Sequence, residues 1–283
     1  MRIAVASGKG GTGKTTVAVN LAVAAARFGQ SVHLCDCDVE EPNAHLFLDP
    51  AYERTWQVNV PVPRIDPEAC SHCGRCADLC EFNAIACLPD RTLVFPDLCH
   101  SCSGCWLVCP RQAVTPVDLP VGTISSGTAG DLTFTTGRMK IGQTQVPAVI
   151  EAVKDVPGHE AWIILDAPPG TTCPVVTTLR DADFVVLVTE PTPFGLHDLT
   201  LALELTRRLN VPCGVVVNRC GDQPGLVEDF CLREGVDLLA RIPFSRRYAG
   251  ICAEGGLILD ADREAADILA GLFRNLKSRE AAA

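Results

Sequence analysis

Residues 8–15 read GKGGTGKT, and the segments on either side of them decide how this part of the chain folds. Before the stretch, Arg2–Ala6 reads RIAVA, an apolar run of strand length. After it, residues 15–26 read TTVAVNLAVAAA, which is typical of a helix, here one that ends near Gly29. The stretch fits G-x4-G-K-[ST], so we predict a strand, a glycine-rich turn and a helix whose first amides wrap phosphate. The alternative is a glycine-rich turn that matches by chance.

The loop carries the groups that a nucleoside triphosphate requires. We expect Lys14 to neutralise the outer phosphates and the hydroxyl of Thr15 to ligate magnesium. The predicted ligands are therefore ATP and Mg²⁺. The loop residues predicted to contact the nucleotide are Gly8, Lys9, Gly10, Gly11, Thr12, Gly13, Lys14, Thr15 and Thr16.

Lys9 extends the motif to KGGxGK[ST], and here the chain resembles the MinD and ParA-type ATPases and the nitrogenase iron protein. These proteins share this deviant Walker A loop. The resemblance implies a homodimer that forms with ATP, in which Lys9 reaches the nucleotide of the other subunit. It also gives Lys9 and Lys14 catalytic roles, because both place positive charge at the phosphates. A solvated lysine beside a turn is the alternative for Lys9.

Two segments with aspartates extend the resemblance. Residues 32–35 read as a strand that leads into Asp36 and Asp38, the place of switch I in the family. By resemblance, Asp38 orients the attacking water and Asp36 lies near the magnesium shell. An N-cap or Asx-turn role is the alternative for either. Residues 162–165 read as a buried strand, and Asp166 opens DAPPGTT, which resembles a Walker B aspartate that holds magnesium through water.

Further apolar runs alternate with helical stretches such as residues 196–209, and this alternation predicts an α/β fold with a doubly wound, mostly parallel sheet. The additional predicted strands are residues 184–188, 214–217 and 240–242. Asn218 and Pro243 follow two of these strands, and the resemblance places the adenine beside them. For Asn218, a turn-forming role is the alternative.

Eight of the sixteen cysteines form two runs with identical C-x2-C-x2-C-x3-C spacing. This repeated spacing resembles that of bacterial ferredoxins, which hold two [4Fe-4S] clusters and take the fourth ligand of each from the opposite run. Zinc binding and a purely structural cluster are the alternatives. The resemblance implies one cluster on Cys70, Cys73, Cys76 and Cys109, and a second on Cys99, Cys102, Cys105 and Cys80.

Several residues near the runs qualify this prediction. Glu81 follows Cys80 where proline is usual, and its carboxylate is expected to lower the potential of that cluster. Cys173 stands where the nitrogenase iron protein has one of its two bridging-cluster ligands, but residues 121–158 contain no second cysteine, so we expect no bridging cluster. His72 and His100 are expected to be loop residues. The cysteines expected to be small buried apolar residues are Cys87, Cys213, Cys220, Cys231 and Cys252.

The cysteine runs lie between the two halves of the nucleotide-binding pattern. We therefore predict a ferredoxin domain at residues 61–117, inserted into one ATPase domain that comprises residues 1–60 and 118–283. Residues 121–142 are expected to return as β structure of the ATPase domain.

Composition limits the partners and the location. A net charge of −10 argues against nucleic acid, which is bound through clustered basic residues. The sequence shows no leader pattern and no uncharged apolar run of membrane-spanning length, so we expect a cytoplasmic protein without stable membrane insertion. There, cysteines at metal spacing favour thiolates over disulfides. Acidic residues in the terminal segment 261–277 predict a helix that packs on the domain rather than one that binds lipid.

Three functions fit these patterns. In the first, an ATP hydrolase binds and hydrolyses Mg-ATP at a homodimer interface and couples this to electron transfer through two [4Fe-4S] clusters. In the second, the ATPase is a redox-sensing positioning or partner-recruitment switch like its MinD and ParA relatives. In the third and least favoured, it is a maturation or carrier protein for iron-sulfur units. Each requires a redox or client protein that the sequence does not identify.

Overall fold

Strands and helices alternate along most of the chain, of which the computed structural model describes residues 1–221 and 225–280. The strands are β1 (Arg2–Ala6), β2 (Val32–Asp36), β3 (Ala51–Ile65), β4 (Ile85–Cys87), β5 (Thr92–Val94), β6 (Val114–Ala129), β7 (Leu132–Met139), β8 (Trp162–Asp166), β9 (Phe184–Thr189), β10 (Cys213–Cys220) and β11 (Asp237–Pro243). The α-helices are α1 (Lys14–Arg27), α2 (His45–Leu48), α3 (Arg75–Asp78), α4 (Gly104–Leu107), α5 (Val146–Lys154), α6 (Cys173–Leu179), α7 (Pro193–Arg208), α8 (Leu226–Glu234), α9 (Arg246–Ala253) and α10 (Arg263–Glu280).

Nine strands form one sheet in the order β11-β10-β9-β1-β8-β2-β7-β6-β3. The strands from β11 to β7 run parallel, whereas β6 and β3 extend the sheet in antiparallel fashion. The predicted mostly parallel α/β sheet is confirmed. Because parallel strands end at the same edge, the segments that follow β1, β2 and β8 meet there.

Two apolar cores cover the two faces of this sheet. Along β1, Ile3 and Val5 belong to the core under α1 and α10, whereas Ala4 and Ala6 belong to the core under α5 to α8. This division follows from the two-residue period of a strand, which sends successive side chains to opposite faces. Helices therefore cover both faces, as the alternation of apolar runs predicts.

Strands β3 and β6 form a long antiparallel ribbon that begins in the sheet and leaves it at the edge. The ribbon continues until Ile65 pairs with Val114, and the predicted boundaries at 61 and 117 fall within it, where Val62 pairs with Val117. Residues 121–142, predicted as returning β structure, contain the end of β6 and all of β7, so that prediction is confirmed. The chain thus enters and leaves the cysteine-rich segment through neighbouring strands.

Residues 66–113, which we call the cysteine module, are made of short elements. Helices α3 and α4 have four residues each, and strands β4 and β5 have three each. Its buried apolar residues are Ala84, Ile85, Cys99 and Ala113. The rest of the chain, which we call the body, carries nearly all of both apolar cores.

The last helix, α10, packs on the body, as predicted. Leu269, Leu272 and Leu276 are fully buried, and Phe273 stacks on Phe28 with 4.9 Å between ring centroids. Within the described part of the chain, no helix combines the length and the apolar character needed to cross a bilayer.

Candidate functional site

The glycine-rich turn lies between β1 and α1, as predicted. Gly13 caps the helix with a φ of 89°, in the left-handed region that favours glycine. A Cβ at this position would lie 2.2 Å from Nδ2 of Asn218, so no larger residue fits without a shift. The first turn of α1 carries no acidic residue. The free amides at this helix start are therefore left to an anion.

A buried ion pair joins the turn to the neighbouring strand. Nζ of Lys14 lies 2.7 Å from Oδ1 of Asp166 and donates to the Thr15 hydroxyl at 3.3 Å. Both charged side chains are shielded, with 7% of Lys14 and none of Asp166 exposed. Burial alone would lower the pKa of Lys14, but the carboxylate of Asp166 outweighs it and raises that pKa, so the lysine stays charged.

The segment after β2, residues 36–43, is named here the switch segment. Oδ1 of the fully buried Asp36 accepts from the amide of Asp38 at 3.2 Å, and Oδ2 accepts from the amides of Asn43 and Ala44 at 3.0 Å each. Burial, together with the charge of Asp166, raises the pKa of Asp36 to about 7. In this structure Asp36 therefore fixes the fold of the switch segment.

Asp38 faces the cleft in front of the turn. Burial raises its pKa to about 6, an effect that Lys14 opposes and Asp166 reinforces. An elevated pKa suits a carboxylate that exchanges a proton near neutral pH. The arrangement thus places three carboxylates, on Asp36, Asp38 and Asp166, around one ammonium group.

A buried oxygen without a partner fits a magnesium ion at this site. Among the described residues, Oδ2 of Asp166 is buried without a hydrogen-bond partner. Oxygen ligands of this kind suit a hard cation such as Mg²⁺. The Thr15 hydroxyl beside Lys14 adds another oxygen.

Two adjoining cavities lie along the turn. The first, of about 440 Å³, is lined by the predicted residues Lys9, Gly10, Gly11, Gly13, Lys14, Thr15, Thr16 and Asp38. The second, of about 180 Å³, is lined by Asn218, Pro243 and Tyr248, and shares Gly13, Thr16 and Arg219 with the first. The predicted Gly8 and Thr12 are absent from both linings, and Thr12 is buried behind the turn. The two cavities share a wall and together form one groove along the turn.

Asn218 holds the turn as well as lining the groove. Its Nδ2 donates to the carbonyl of Thr12 at 2.7 Å, and its Oδ1 accepts from the amide of Arg219 at 2.9 Å. Much of its hydrogen-bonding capacity is therefore used within the protein. The sequence reasoning missed Arg219, which lines both cavities and pairs with Glu190. Its position directly after Asn218 at a strand end was the available signal.

Lys9 lines the first cavity and is half-buried. The Ser7 hydroxyl donates to its carbonyl at 2.7 Å. Across residues 1–221 and 225–280, its ammonium forms no hydrogen bond or ion pair. This lysine is therefore available to a ligand or to another molecule.

The eight cysteines of the two runs line two cavities in the module. Cys70, Cys73, Cys76 and Cys109 line one, and Cys80, Cys99, Cys102 and Cys105 line the other. The first cavity thus takes three cysteines from one run and a fourth from the other, whereas the second takes three from one run and both Cys76 and Cys80 from the other. Each cavity contains the set that the ferredoxin resemblance implies. Cys76 lines both cavities, so the two sites adjoin.

The surroundings of the thiols act in two directions: burial raises the pKa of Cys76, Cys99 and Cys105, whereas nearby amides favour a thiolate. Backbone amides point at three of the sulfurs: Ala84 at Cys80 (3.3 Å), Ser101 at Cys99 (3.4 Å) and Ala113 at Cys109 (3.3 Å). Such donors stabilise negative charge on sulfur. In the described residues, no three His, Cys, Asp or Glu side chains converge on the position of a single metal ion.

The predictions also cover three residues near the cysteine runs, Glu81, His72 and His100. Glu81 is exposed next to Cys80. His72 accepts or donates a hydrogen bond with Thr92 at 3.2 Å, and His100 stacks on Phe82 with 3.7 Å between centroids. Both histidines lie in loops, as predicted.

The remaining cysteines divide into three groups by exposure, and the buried group includes Cys35 and Cys37. Cys220 and Cys231 are buried, as predicted, whereas Cys87, Cys213 and Cys252 are only half-buried. Cys87 comes close to the Thr92 hydroxyl, whereas Cys252 packs against the core under α1 and α10 and also lines the second cavity. Cys173 is exposed at the first residue of α6.

Four features together define a P-loop nucleotide-binding protein: strand β1, the glycine-rich turn, Lys14 at the start of α1 and Asp166 at the end of β8. A family model for the CobQ/CobB/MinD/ParA nucleotide-binding domain matches residues 3–258, and the chain belongs to this family. It is thus a MinD/ParA-like ATPase.

Two related sequences and one solved structure are consistent with this family assignment. An uncharacterized protein of Methanocaldococcus jannaschii is 29% identical over 98% of this chain and 96% of its own length. The iron-sulfur cluster carrier protein of Pyrococcus horikoshii is 28% identical over 86% of this chain and 73% of its own. The MinD septum site-determining protein of Pyrococcus horikoshii, solved with Mg-ADP, has the same fold, with a TM-score of 0.62, 20% identity and coverage of 97% and 95%.

Proposed function

We propose that the protein is a homodimeric ATPase whose nucleotide cycle is coupled to electron transfer through two [4Fe-4S] clusters. The single observation that carries this proposal is the sorting of eight cysteines into two adjoining sets of four, in a chain that also holds a complete P-loop. A redox protein would be the partner. A cytoplasmic location and the absence of a nucleic-acid partner stay predictions.

In this proposal the residues of the cleft have distinct roles in hydrolysis. The amides of the turn and Lys14 bind the phosphates, and Asp38 orients the attacking water. Thr15 and Asp166 would hold Mg²⁺, with Asp36 near its shell, and the bound ion would neutralise developing charge on the phosphates. Lys14 and Asp166 form an ion pair with each other, and on binding of Mg-ATP they would exchange it for the phosphates and for Mg²⁺.

The proposed homodimer completes the site with a second lysine. The ammonium of Lys9 has no partner among the described residues, and this lysine lines the cleft. In a dimer that faces its clefts together, each Lys9 supplies charge to the other subunit's phosphates. Hydrolysis should therefore depend on protein concentration.

The proposed electron path lies in the cysteine module. Each cluster, when bound, supplies a one-electron carrier. Cys73 and Cys102, one from each set, are exposed, and Cys76 lies between the two sets. Electrons would thus enter and leave the module at the exposed Cys73 and Cys102, and would cross from one cluster to the other near Cys76.

Two measurements test this proposal. In protein purified without oxygen, Cys80→Ser should lose the signal of one cluster by EPR and about half of the iron, because that set loses its fourth thiolate. Cys87→Ser, a half-buried cysteine outside both sets, is the matched control and should keep all the iron.

Redox titration then tests the coupling. A non-hydrolysable ATP analogue should shift a cluster potential by about 40 to 130 mV, which corresponds to a coupling of about 1 to 3 kcal/mol. Zinc in place of iron, or potentials and electron-transfer rates that ATP leaves unchanged, would reject electron transfer as the function.

A second candidate function is iron-sulfur cluster delivery, which the names of related proteins favour. Relatives from three Pyrococcus species are called iron-sulfur cluster carrier proteins. In that case the loaded protein should transfer a cluster to an apo-acceptor in a reaction that ATP controls. Retention of all iron in the presence of the acceptor would favour electron transfer instead.

A further inference from the structure

The loop after β7, residues 140–145, connects the body to the cysteine module. Nε2 of Gln143 donates to Oδ1 of Asp97 at 2.8 Å, and the Thr144 hydroxyl donates to the main-chain oxygen of Asp97 at 3.1 Å. Asp97 lies in the short 3-10 turn Pro96–Leu98. Two side chains of the body therefore hold one turn of the module.

That turn presents a cysteine to one of the two cavities. The residue after it is Cys99, whose amide donates to the carbonyl of Pro96 at 3.0 Å. Cys99 is 8% exposed and lines the cavity that also contains Cys80. A shift of Asp97 would therefore move Cys99 within its cavity.

The start of the same loop is tied to the switch segment. The amide of Met139 donates to the carbonyl of Val39 at 2.8 Å. Val39 is buried, and a Cβ added at Gly137 would lie 2.7 Å from its Cγ1. Strand β7 and Val39 are thus in direct contact, with no space between them.

Val39 follows Asp38, which lines the phosphate cleft. A change at Asp38 when a nucleotide binds is therefore passed to Val39 and then to Met139, because close-packed interiors transmit displacements rather than absorb them. The loop carries this displacement on to Gln143 and Thr144.

The other set of cysteines has a different anchor. Cys70 donates its amide to the carbonyl of Asp66 at 3.0 Å, and the Asp66 amide donates to the carbonyl of Ala113 at 2.8 Å. This set is thus fixed to the end of the ribbon rather than to the loop.

From these contacts we infer that loop 140–145 transmits the nucleotide state of the cleft to the cavity of Cys80, Cys99, Cys102 and Cys105. Gln143 and Thr144 are the positioning residues of this connection. The inference rests on the proposed function, and it adds which of the two clusters responds to ATP.

The test compares two double variants of the full chain. Gln143→Ala with Thr144→Val removes both hydrogen bonds to Asp97. Gln57→Ala with Thr55→Val makes the same changes on the exposed ribbon, where the Thr55 hydroxyl contacts only that of Ser125, at 3.0 Å. Each protein is measured with and without Mg²⁺ and a non-hydrolysable ATP analogue. The readouts are the potentials of both clusters by EPR and the hydrogen exchange of residues 96–101.

In the wild type and the ribbon variant, the analogue should shift the potential of the cluster on Cys99 and change exchange at residues 96–101. The loop variant should bind the analogue and keep its iron but lose both responses. Asp97→Asn retains an oxygen acceptor for Gln143, so it should keep them.

Three outcomes would overturn the inference. Responses of the loop variant equal to those of the wild type, or a response confined to the cluster on Cys70, would reject the loop connection and leave the proposed function standing. A wild type in which neither cluster responds to nucleotide would reject both.

Discussion

The nucleotide cleft and the cysteine module differ in what holds them together. The cleft is built on long elements, a 14-residue helix and central strands, and its charged groups already pair, as Lys14 does with Asp166. The module has helices of four residues and strands of three. Its buried apolar residues within the described chain are Ala84, Ile85, Cys99 and Ala113.

This difference indicates where each region obtains its free energy of folding. A segment with so few buried side chains cannot offset the conformational entropy of its backbone, and small domains of this kind depend on metal or disulfides. The cleft does not depend on metal or disulfides for its stability, because two apolar cores support it. The two apolar cores therefore hold the cleft, whereas in the proposed function the module also depends on its clusters.

The largest expected effect comes from removing the iron. Chelation under denaturant-free conditions should abolish the hydrogen-exchange protection of residues 66–113 while strands β1, β8 and β9 keep theirs, because metal binding supplies the folding energy of the module. Exchange followed by mass spectrometry measures both regions at once. Equal protection of the module before and after complete iron loss would show that the comparison is wrong.

A smaller effect is expected on the free energy of unfolding, which substitution of Lys14 should lower far more than substitution of Lys9. Lys14→Ala leaves Asp166 buried without a cation, so we expect a loss of about 3 to 5 kcal/mol in the free energy of unfolding, together with loss of hydrolysis. Lys9→Ala removes a side chain without an ionic partner among the described residues, and stability should change by less than about 0.5 kcal/mol.

Denaturant unfolding and ATPase assays at several protein concentrations measure these effects. Lys9→Ala should also lose hydrolysis, but only through the dimer. A Lys9 variant as unstable as the Lys14 variant, or one with full activity, would contradict these roles.

The smallest effect is a pH dependence that belongs to the body alone. Burial holds the pKa of His33 below its usual 6.5, with Glu160 opposing this. As the pH falls through 6.5, the unfolded chain takes up a proton that the folded body resists, so His33 contributes a decrease in the free energy of unfolding. The raised pKa values of Asp36 and Asp38 contribute in the opposite direction over the same range. His33→Gln should reduce this acid sensitivity, and His159→Gln, at an exposed position, should leave it unchanged.

Denaturant unfolding of the body on either side of pH 6.5 checks this prediction. Equal pH dependence of stability in the wild type and in His33→Gln would remove His33 as a source of pH dependence.

The sequence alone was sufficient to predict most of the parallel strands of the sheet. The parallel strands occur at the predicted places and extend further by a few residues, because each is an apolar run bounded by turn residues. The turn at Gly13 and the aspartate after β8 follow from the same local pattern.

Other features depend on contacts between distant residues and could not be predicted. The ribbon contains Pro61 and Pro63 opposite Asp118 and Pro116, and prolines are unfavourable in a strand read by itself. The hydrogen bond from Asn218 to Thr12 likewise joins residues 206 positions apart. Such pairings exist only once the sheet has formed.

The antiparallel ribbon has an evolutionary consequence. Because adjacent antiparallel strands can be closed by a two-residue hairpin, the chain between Ile65 and Val114 is dispensable for the connectivity of the sheet. One genetic insertion at the tip of an ancestral hairpin would have been enough to add the module, and one deletion would remove it without rewiring any other strand. Descendants with and without the module could therefore share one ATPase architecture.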